Sequence, residues 1–308
     1  MYYIHAIQSM NNSDVFKQED IHQKLVEVSE NPTLVTPDFK TYIAPTALRR
    51  LSPILRMGIT LAKEVQAAVD QPFDAISVGT GLGCLTDTEK FLNVIYTVEG
   101  DVLSPTAFIQ STHNTIAGQI SLDLGNHSYN MTHTQNNLSF EMALIDGMLC
   151  CEEGSKNVLV GAADESIEFL NKLKPSVFDS ETLFTTSATF LAISADKMES
   201  SIAILACKTI ANAAEISVET NAFLAAFGLS LEQINCFVLN TNELETPANS
   251  EVFHIDDQLG FNQSSSAFAV HVAHDFLKSS TKEFALIVNR SSNNYLGLIL
   301  LKNDKTHN

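Results

Sequence analysis

The stretch that decides the fold is Met131-Thr132-His133-Thr134-Gln135-Asn136-Asn137. It overlaps residues 127–132, where polar and apolar side chains alternate as in a β-strand, and it precedes residues 138–151, a long apolar run typical of a buried helix. Gly154 and a second strand-like run, residues 158–161, come next. This order predicts a strand, a tight polar turn, a buried helix and a second strand.

Strands and helices alternate along the whole chain of 308 residues. The second part repeats the first in outline, since helix, strand, polar turn, strand, turn and helix follow one another again. We therefore predict an α/β protein with helices on both faces of its sheet. Its two related halves are expected at residues 1–168 and 169–308, within one structural unit.

Charge and composition exclude several classes of partner. The chain has 18 Lys and Arg against 36 Asp and Glu, a net charge of −18, whereas nucleic acids and anionic membranes attract basic surfaces. No apolar run reaches the ~18 residues of a membrane helix, and residues 1–10 lack the pattern of a signal peptide. The five cysteines lie mostly in apolar segments, as reduced core thiols do. We expect a cytoplasmic protein with no membrane span and no nucleic-acid partner.

The remaining motifs predict no cofactor and no metal. The glycine-rich run 79–83 follows a strand, but its spacing is G-x-G-x-G instead of the dinucleotide fingerprint, so a close-packing turn explains it better. His271 and His274 share a helix face, yet no third metal ligand is evident. For Asp164 and Glu165 we expect the solvated or helix-starting end of the first half, with a functional acid pair as the alternative.

The order of several short motifs resembles the β-ketoacyl synthase family, over nearly the whole chain. Each motif alone is only moderately specific, but together they occur in the same order as in the family. They are residues 42–56 with paired arginines, Val78-Gly-Thr-Gly81, the S-P…N-x-x-A-G-x-I-S pattern of residues 104–121, the strand end 160–165, Leu259-Gly260 and Val288-Asn289. The resemblance implies a thiolase-like fold, with two related halves in a five-layered αβαβα arrangement.

The residues that carry catalysis in this family are replaced here. The family has a cysteine in the turn before the helix, a position that falls within residues 134–137, most simply on Thr134. Its two histidines correspond to Asn240 and Phe261. The family's lysine lies near the second histidine, where this chain has the acidic pair Asp256-Asp257. The resemblance therefore implies a degenerate triad at Thr134, Asn240 and Phe261.

Each replacement removes a chemical function that the reaction needs. A condensing enzyme uses a thiolate to take the acyl chain and two imidazoles to stabilise the negative charge formed on decarboxylation. A threonine hydroxyl is a weak nucleophile without an adjacent base, and Phe261 cannot donate a hydrogen bond. Two carboxylates would oppose a developing negative charge. We therefore predict that the chain alone is inactive as a 3-oxoacyl-carrier-protein synthase.

Among members of the family, the chain resembles chain length factors. These catalytically silent subunits pair with an active ketosynthase in type II polyketide systems. The runs Ser139-Phe-Glu141 and Ser265-Ser-Ala-Phe268 are similar to those of short members found with aryl polyene and flexirubin-type pigment synthesis. The implied partners are an active β-ketoacyl synthase subunit and, indirectly through it, an acyl carrier protein.

The resemblance also implies where the partner binds. Residues 128–132 are expected to pair with the partner across a two-fold axis. A helix at residues 108–119, unless it breaks near Asn114, is expected to line the partner's pocket. The pocket and interface candidates come from these segments and the turn, and they are Phe108, His113, Asn114, Ser128, Tyr129, Met131, His133, Gln135, Asn136 and Asn137.

Two other functions stay open from the sequence. Thr134 performs acyl transfer or hydrolysis if His113 or His133 acts as its base, and the chain is then an enzyme. Alternatively, the chain forms a homodimer that binds acyl chains. The sequence does not decide between a heterodimer and a homodimer.

Overall fold

The computed structural model describes residues 1–97, 104–177, 182–197, 201–291 and 294–305. Its strands are β1 (Tyr2–Met10), β2 (Ala75–Gly79), β3 (Tyr129–His133), β4 (Val158–Asp164), β5 (Ser187–Ser194), β6 (Ile202–Ile210), β7 (Cys236–Leu239), β8 (Glu251–His254), β9 (Phe284–Arg290) and β10 (Leu296–Asn303). Its α-helices are α1 (Pro45–Leu48), α2 (Pro53–Val69), α3 (Leu85–Thr97), α4 (Pro105–Gln110), α5 (Thr115–Leu124), α6 (Ser139–Glu152), α7 (Glu168–Val177), α8 (Ile216–Ala225), α9 (Ile255–Leu259) and α10 (Ser265–Ser279). None of these helices is both long and apolar enough to span a bilayer.

The strands form two groups of five with the same internal order. The complete order is β3-β2-β4-β5-β1-β6-β10-β9-β7-β8. We number the strands of each group in chain order and read each group from the middle of the sheet outward. Both groups then have the order first, fifth, fourth, second and third strand. A short antiparallel contact of Tyr2 and Tyr3 with Ile204 and Ala203 joins the groups. Along the chain, the first group ends with β5 and the second begins with β6. The division of the chain at residue 168 stays a prediction.

Helices cover both faces of each strand group. α2 and α5 pack on the outer face of the first group, with Leu55, Ile59 and Phe190 in one core cluster. α6 and α10 pack between the two groups, where Phe140 and Phe268 share a second cluster. α8 packs against β10 on the far face of the second group. The predicted five-layered αβαβα arrangement is therefore confirmed.

The decisive stretch forms the predicted strand, turn and helix. β3 ends at His133, and α6 begins at Ser139, one residue after the start of the apolar run. Within the described residues, β3 lies at the end of the strand order and pairs only with β2, in parallel. The strand begins at Tyr129, two residues after the start of the alternating run at residue 127. Just before it, the Ser128 N–H donates to the Asn126 side chain at 2.9 Å.

The helix that was expected at residues 108–119 is two helices. α4 and α5 are separated by residues 111–114. The hydroxyl of Thr112 donates to the Ile109 carbonyl at 2.9 Å, and side chains that bind the backbone in this way compete with helix formation. The continuous helix was wrong, and the alternative of a break near Asn114 is correct, since this residue occupies the N-cap position directly before α5.

Candidate functional site

The turn between β3 and α6 has a fixed backbone. Asn136 has a left-handed φ of 50°, which asparagine adopts more readily than most residues. The Ser139 hydroxyl donates to the Asn136 carbonyl at 2.6 Å and accepts from the Gln135 N–H at 2.8 Å. The turn therefore keeps its shape although the side chains of Gln135 and Asn136 are exposed.

Two glycines allow the loop after β2 to approach this turn. A Cβ at Gly79 would lie 2.4 Å from the Ser139 carbonyl oxygen, which is a backbone atom at the start of α6. A Cβ at Gly81 would lie 2.8 Å from the Cβ of Gln263 and 3.1 Å from the Asn136 carbonyl oxygen. The glycine-rich run brings β2, the turn and the residues before α10 into direct contact.

Thr134 has no base beside its hydroxyl. Its side chain is exposed, and no described residue hydrogen-bonds to it. Nε2 of His133 lies 3.1 Å from Asp146 Oδ2, an ion-pair distance without the angles of a hydrogen bond. The ring of His113 lies against Gly83, 3.0 Å from the position that a Cβ would take there. Neither histidine hydrogen-bonds to the Thr134 hydroxyl in this structure.

Asn240 and Asn137 meet through Asn289 on β9. Nδ2 of Asn240 and Nδ2 of Asn137 donate to the Asn289 Oδ1 at 2.9 and 3.2 Å. The same two amides donate to the Arg290 carbonyl at 3.0 and 3.1 Å. The Asn289 amide donates back to the Asn137 carbonyl at 2.7 Å. Two predicted site positions thus belong to one amide network, and amides do not exchange protons as imidazoles do near neutral pH.

Behind this network lies Glu141, a fully buried carboxyl on α6. It accepts hydrogen bonds from Asn289 Nδ2 at 2.7 Å and from the Ser266 hydroxyl at 3.0 Å. A Cβ at Gly297 on β10 would lie only 2.5 Å from its Oε1. Burial raises the pKa of Glu141 to about 7, although its hydrogen bonds lower it. Glu141 thus links α6 to α10 and β9, in the middle of the molecule.

Phe261 lies outside the amide network. The residue before it, Gly260, has a φ of 75°, and a Cβ there would lie 2.7 Å from the Leu183 carbonyl oxygen. The Phe261 N–H donates to this carbonyl at 2.8 Å. Its ring packs edge-on against Phe184, with the centroids 5.5 Å apart. The position supplies apolar surface instead of an imidazole.

Asp164 and Glu165 are not the solvated end that the sequence suggested. They are only 1% and 3% exposed. Asp164 accepts from the N–H groups of Gly81 and Leu82 at 3.0 and 2.7 Å, and Glu165 accepts from the Thr86 N–H and hydroxyl at 2.9 and 2.8 Å. Burial raises the pKa of both carboxyls, that of Glu165 to about 7. They hold the loop after β2 in place, because its N–H groups need acceptors.

The remaining candidates lie on the exposed surface of the first half. Phe108, Tyr129 and Met131 are 56%, 43% and 42% exposed. The Phe108 ring packs against Phe91, with the centroids 5.6 Å apart. Asn114 and Ser128 are also exposed, as are both members of the acidic pair Asp256-Asp257 on α9.

A family model for the N-terminal domain of β-ketoacyl synthases matches residues 24–254, most of the chain. The chain belongs to the β-ketoacyl synthase family. No curated protein sequence matches this family member. The resemblance that the short motifs predicted is therefore confirmed at the level of the family.

Several solved structures share the fold of this β-ketoacyl synthase homologue. The ishigamide ketosynthase/chain length factor is similar with a TM-score of 0.80 and 13% identity, over 98% of this chain and 99% of that chain. A β-ketoacyl synthase from Burkholderia phymatum STM815 has a TM-score of 0.75 and 9% identity, over 98% and 99%. The ketosynthase ApeO in complex with its chain length factor ApeC, from Xenorhabdus doucetiae, has a TM-score of 0.62 and 13% identity, over 98% of both chains. The predicted thiolase-like fold is confirmed.

Proposed function

We propose that this chain is a non-catalytic, chain-length-factor-type subunit. It pairs with an active β-ketoacyl synthase during elongation of polyene chains, as in aryl polyene or flexirubin-type pigment synthesis. The observation that carries this proposal is the amide network. Asn137 and Asn240 lie at or near positions that hold the cysteine and a histidine in the family. Both side-chain amides donate to the same two acceptors, Asn289 Oδ1 and the Arg290 carbonyl.

The chemistry of the site supports a silent subunit. Gly79, Ser139 and Asn136 stabilise the backbone conformation of the turn, but the turn contains no cysteine thiol. The hydroxyl of Thr134 points to no base, which disfavours the acyltransferase or hydrolase alternative. Phe261 provides no donor for an oxyanion. Acyl transfer is therefore assigned to the partner subunit.

The surface of the first half has the composition of a subunit interface. β3 has one edge without a neighbouring strand among the described residues, and such an edge is a template for pairing with another chain. α3 packs on α4, and α5 packs on β3. Large exposed apolar side chains, which mark interfaces, occur on these four elements: Leu92, Val94, Ile95, Tyr96, Phe108, Ile109, Leu122, Tyr129 and Met131.

The negative charge of this chain indicates that the acyl carrier protein binds to the partner subunit. The chain has a net charge of −18, and surfaces of the same sign repel an acidic carrier protein. A carrier loaded with an acyl group would therefore dock on the active subunit. The proposed cytoplasmic location follows from the same pairing, because the partner and carrier would act there.

Co-expression with a ketosynthase that keeps its cysteine and both histidines tests the pairing. We expect a one-to-one complex by native mass spectrometry, stable through size-exclusion chromatography. If the chain stays a monomer and never co-elutes with a ketosynthase, the proposal fails. If it forms a homodimer with bound acyl chains instead, the homodimeric acyl-binding function replaces it.

A further inference from the structure

The acidic residues of this chain are distributed unevenly. Although the chain has 36 Asp and Glu, residues 39–63 contain none of them, and these residues include five of its 18 Lys and Arg. Residues 104–122 and 124–140 contain no Asp, Glu, Lys or Arg. Asp123, between them, is paired with Lys63 at 2.6 Å. Because α4, β3 and most of α5 lie in these segments, most of the surface that we assign to the ketosynthase interface lacks acidic residues.

The arginines are concentrated in the first of these acid-free segments. Three of the four arginines of the chain are Arg49, Arg50 and Arg56. Arg56 and Arg290 bind backbone carbonyls at 2.8 and 2.7 Å, through Nε and Nη1. Arg49 and Arg50 are exposed, and no described residue forms an ion pair or a hydrogen bond with either guanidinium group. These two cations therefore have no internal role among the described residues.

The arginine pair lies beside the apolar surface of α4. Nε2 of Gln110, the last residue of α4, donates to the Arg50 carbonyl at 3.0 Å. On the same helix, Phe108 and Ile109 are 56% and 58% exposed. An apolar centre with a polar rim is the usual anatomy of a protein interface, and arginine is enriched there. The pair thus continues the proposed interface at its edge.

We propose that Arg49 and Arg50 bind carboxylates on the rim of the ketosynthase and steer the approach of the two subunits. This inference rests on the proposed pairing. A guanidinium group binds a carboxylate through two parallel hydrogen bonds, so acidic side chains are the partner groups that fit it best. The loss of charged residues from an interface core explains residues 104–140, but it does not explain arginines beside that core.

The net charge of the chain explains why such steering matters. At −18, the chain as a whole repels an acidic surface, and the repulsion opposes every encounter that begins on another face. An acidic rim on the ketosynthase is attracted only where this chain has cations without acids. Charges on an interface rim act mainly on the association rate and on its salt dependence. The arginine pair should therefore set how fast the subunits meet.

Association kinetics of the full-length chain with the purified ketosynthase test the proposal. The unmodified chain and Arg49→Glu/Arg50→Glu are compared by stopped flow at two NaCl concentrations that give screening lengths of about 20 Å and about 6 Å. We expect the double variant to associate about 10-fold more slowly, or slower still, at low salt. The difference should become small at high salt, because screening removes the steering.

Lys278→Glu/Lys282→Glu is the matched control. It changes the net charge of the chain by the same amount, but both lysines are exposed in the second half, at and after the end of α10. Its association rate should stay close to that of the unmodified chain. Arg49→Lys/Arg50→Lys, which keeps both charges, should also keep most of the rate. Equal melting temperatures of all variants would show that the fold is unchanged.

The outcomes separate this inference from the proposed function. If the unmodified chain never pairs with a ketosynthase, the proposed function fails, and this inference fails with it. If the chain pairs but Arg49→Glu/Arg50→Glu associates as fast as the unmodified chain, or both double variants are equally slow, only this inference is overturned. It is also overturned if the arginine variant pairs normally but the pair binds an acyl-loaded carrier protein more weakly, because the arginines would then dock the carrier.

Discussion

β3 and β8 have the same place in the two halves, at the outer end of a strand group and before a helix of the middle layer. The N-terminal segment contacts the β8 region. The His22 ring packs against Phe253, and the Val28 N–H donates to the Asp257 carbonyl at 2.8 Å. β3 has no such cover among the described residues, and Met131 on it is 42% exposed.

This difference separates what the fold requires from what assembly requires. The two halves have the same strand order, and each contributes a helix to the middle layer, so the fold itself requires the same packing in both. An uncovered edge strand with apolar side chains invites pairing with another chain. The N-terminal segment packs on Phe253 and hydrogen-bonds to α9 beside β8, whereas β3 has no such neighbour among the described residues, and we infer that the edge of β3 is left for a partner.

The largest effect is expected from Met131→Lys on β3. A lysine there would place an unpaired charge in the interface with the ketosynthase, and desolvation of that charge is costly. We expect the affinity of the pair to fall by about 1,000-fold, which corresponds to about 4 kcal/mol and lies in the range for a lost interface hot spot or an uncompensated buried charge. Titration of the two purified subunits, followed by native mass spectrometry, measures it.

Val218→Lys is the matched control for this change. Val218 is a similarly exposed apolar residue, 57% exposed, but it lies on α8 of the second half. It should leave the affinity of the pair unchanged. If both lysines weakened the complex equally, the contrast between the two halves would be lost.

The next effect concerns the stability of the turn after β3. Gly79→Ala would force a Cβ to within 2.4 Å of the Ser139 carbonyl oxygen, so the free energy of unfolding should fall by about 3 kcal/mol or more. Gly118→Ala in α5 meets nothing within 4 Å and should raise it by about 0.5–1 kcal/mol. Denaturant unfolding of both variants measures the difference, and equal stabilities would mean that the turn is not packed as described.

A smaller effect is expected from Glu141→Gln, and it depends on pH. The pKa of Glu141 is raised from 4.5 to about 7, so between these values the folded chain binds more protons than the unfolded chain, and this carboxyl lowers stability as pH rises. The advantage of the glutamine variant over the unmodified chain should therefore be larger near pH 8 than near pH 5, by up to about 3 kcal/mol. Glu153→Gln, an exposed residue after the same helix, should show no such pH dependence, and a flat difference for Glu141→Gln would contradict the buried position.

The fold could be predicted because its signals are local. Alternation in residues 127–132, the apolar run of α6 and the motif order each depend on neighbouring residues. The same is true of the tight turn, whose left-handed residue is Asn136. Helix ends were less predictable, since Thr112 separates α4 from α5 through a hydrogen bond to the Ile109 carbonyl.

The interior of the site could not be predicted, because it depends on contacts between distant segments. Asn289 joins Asn137 to Asn240 across 152 and 49 positions of the chain. Glu141 and Asp164 looked like ordinary acidic residues in the sequence, but both are buried among donors from other elements. Asn137 and Asn240 were candidate positions in the sequence, but no sequence pattern connected either of them with Asn289.

Locating the acyl group on the assembled pair tests most directly whether the chemistry belongs to the partner. The chain and its ketosynthase are incubated with an acyl-loaded carrier protein, digested, and mapped by mass spectrometry, with a parallel sample that contains Thr134→Ala. We predict that every acyl adduct lies on the ketosynthase cysteine and that Thr134→Ala changes neither its amount nor the product. An adduct on this chain that disappears with Thr134→Ala would contradict the assignment of a silent subunit.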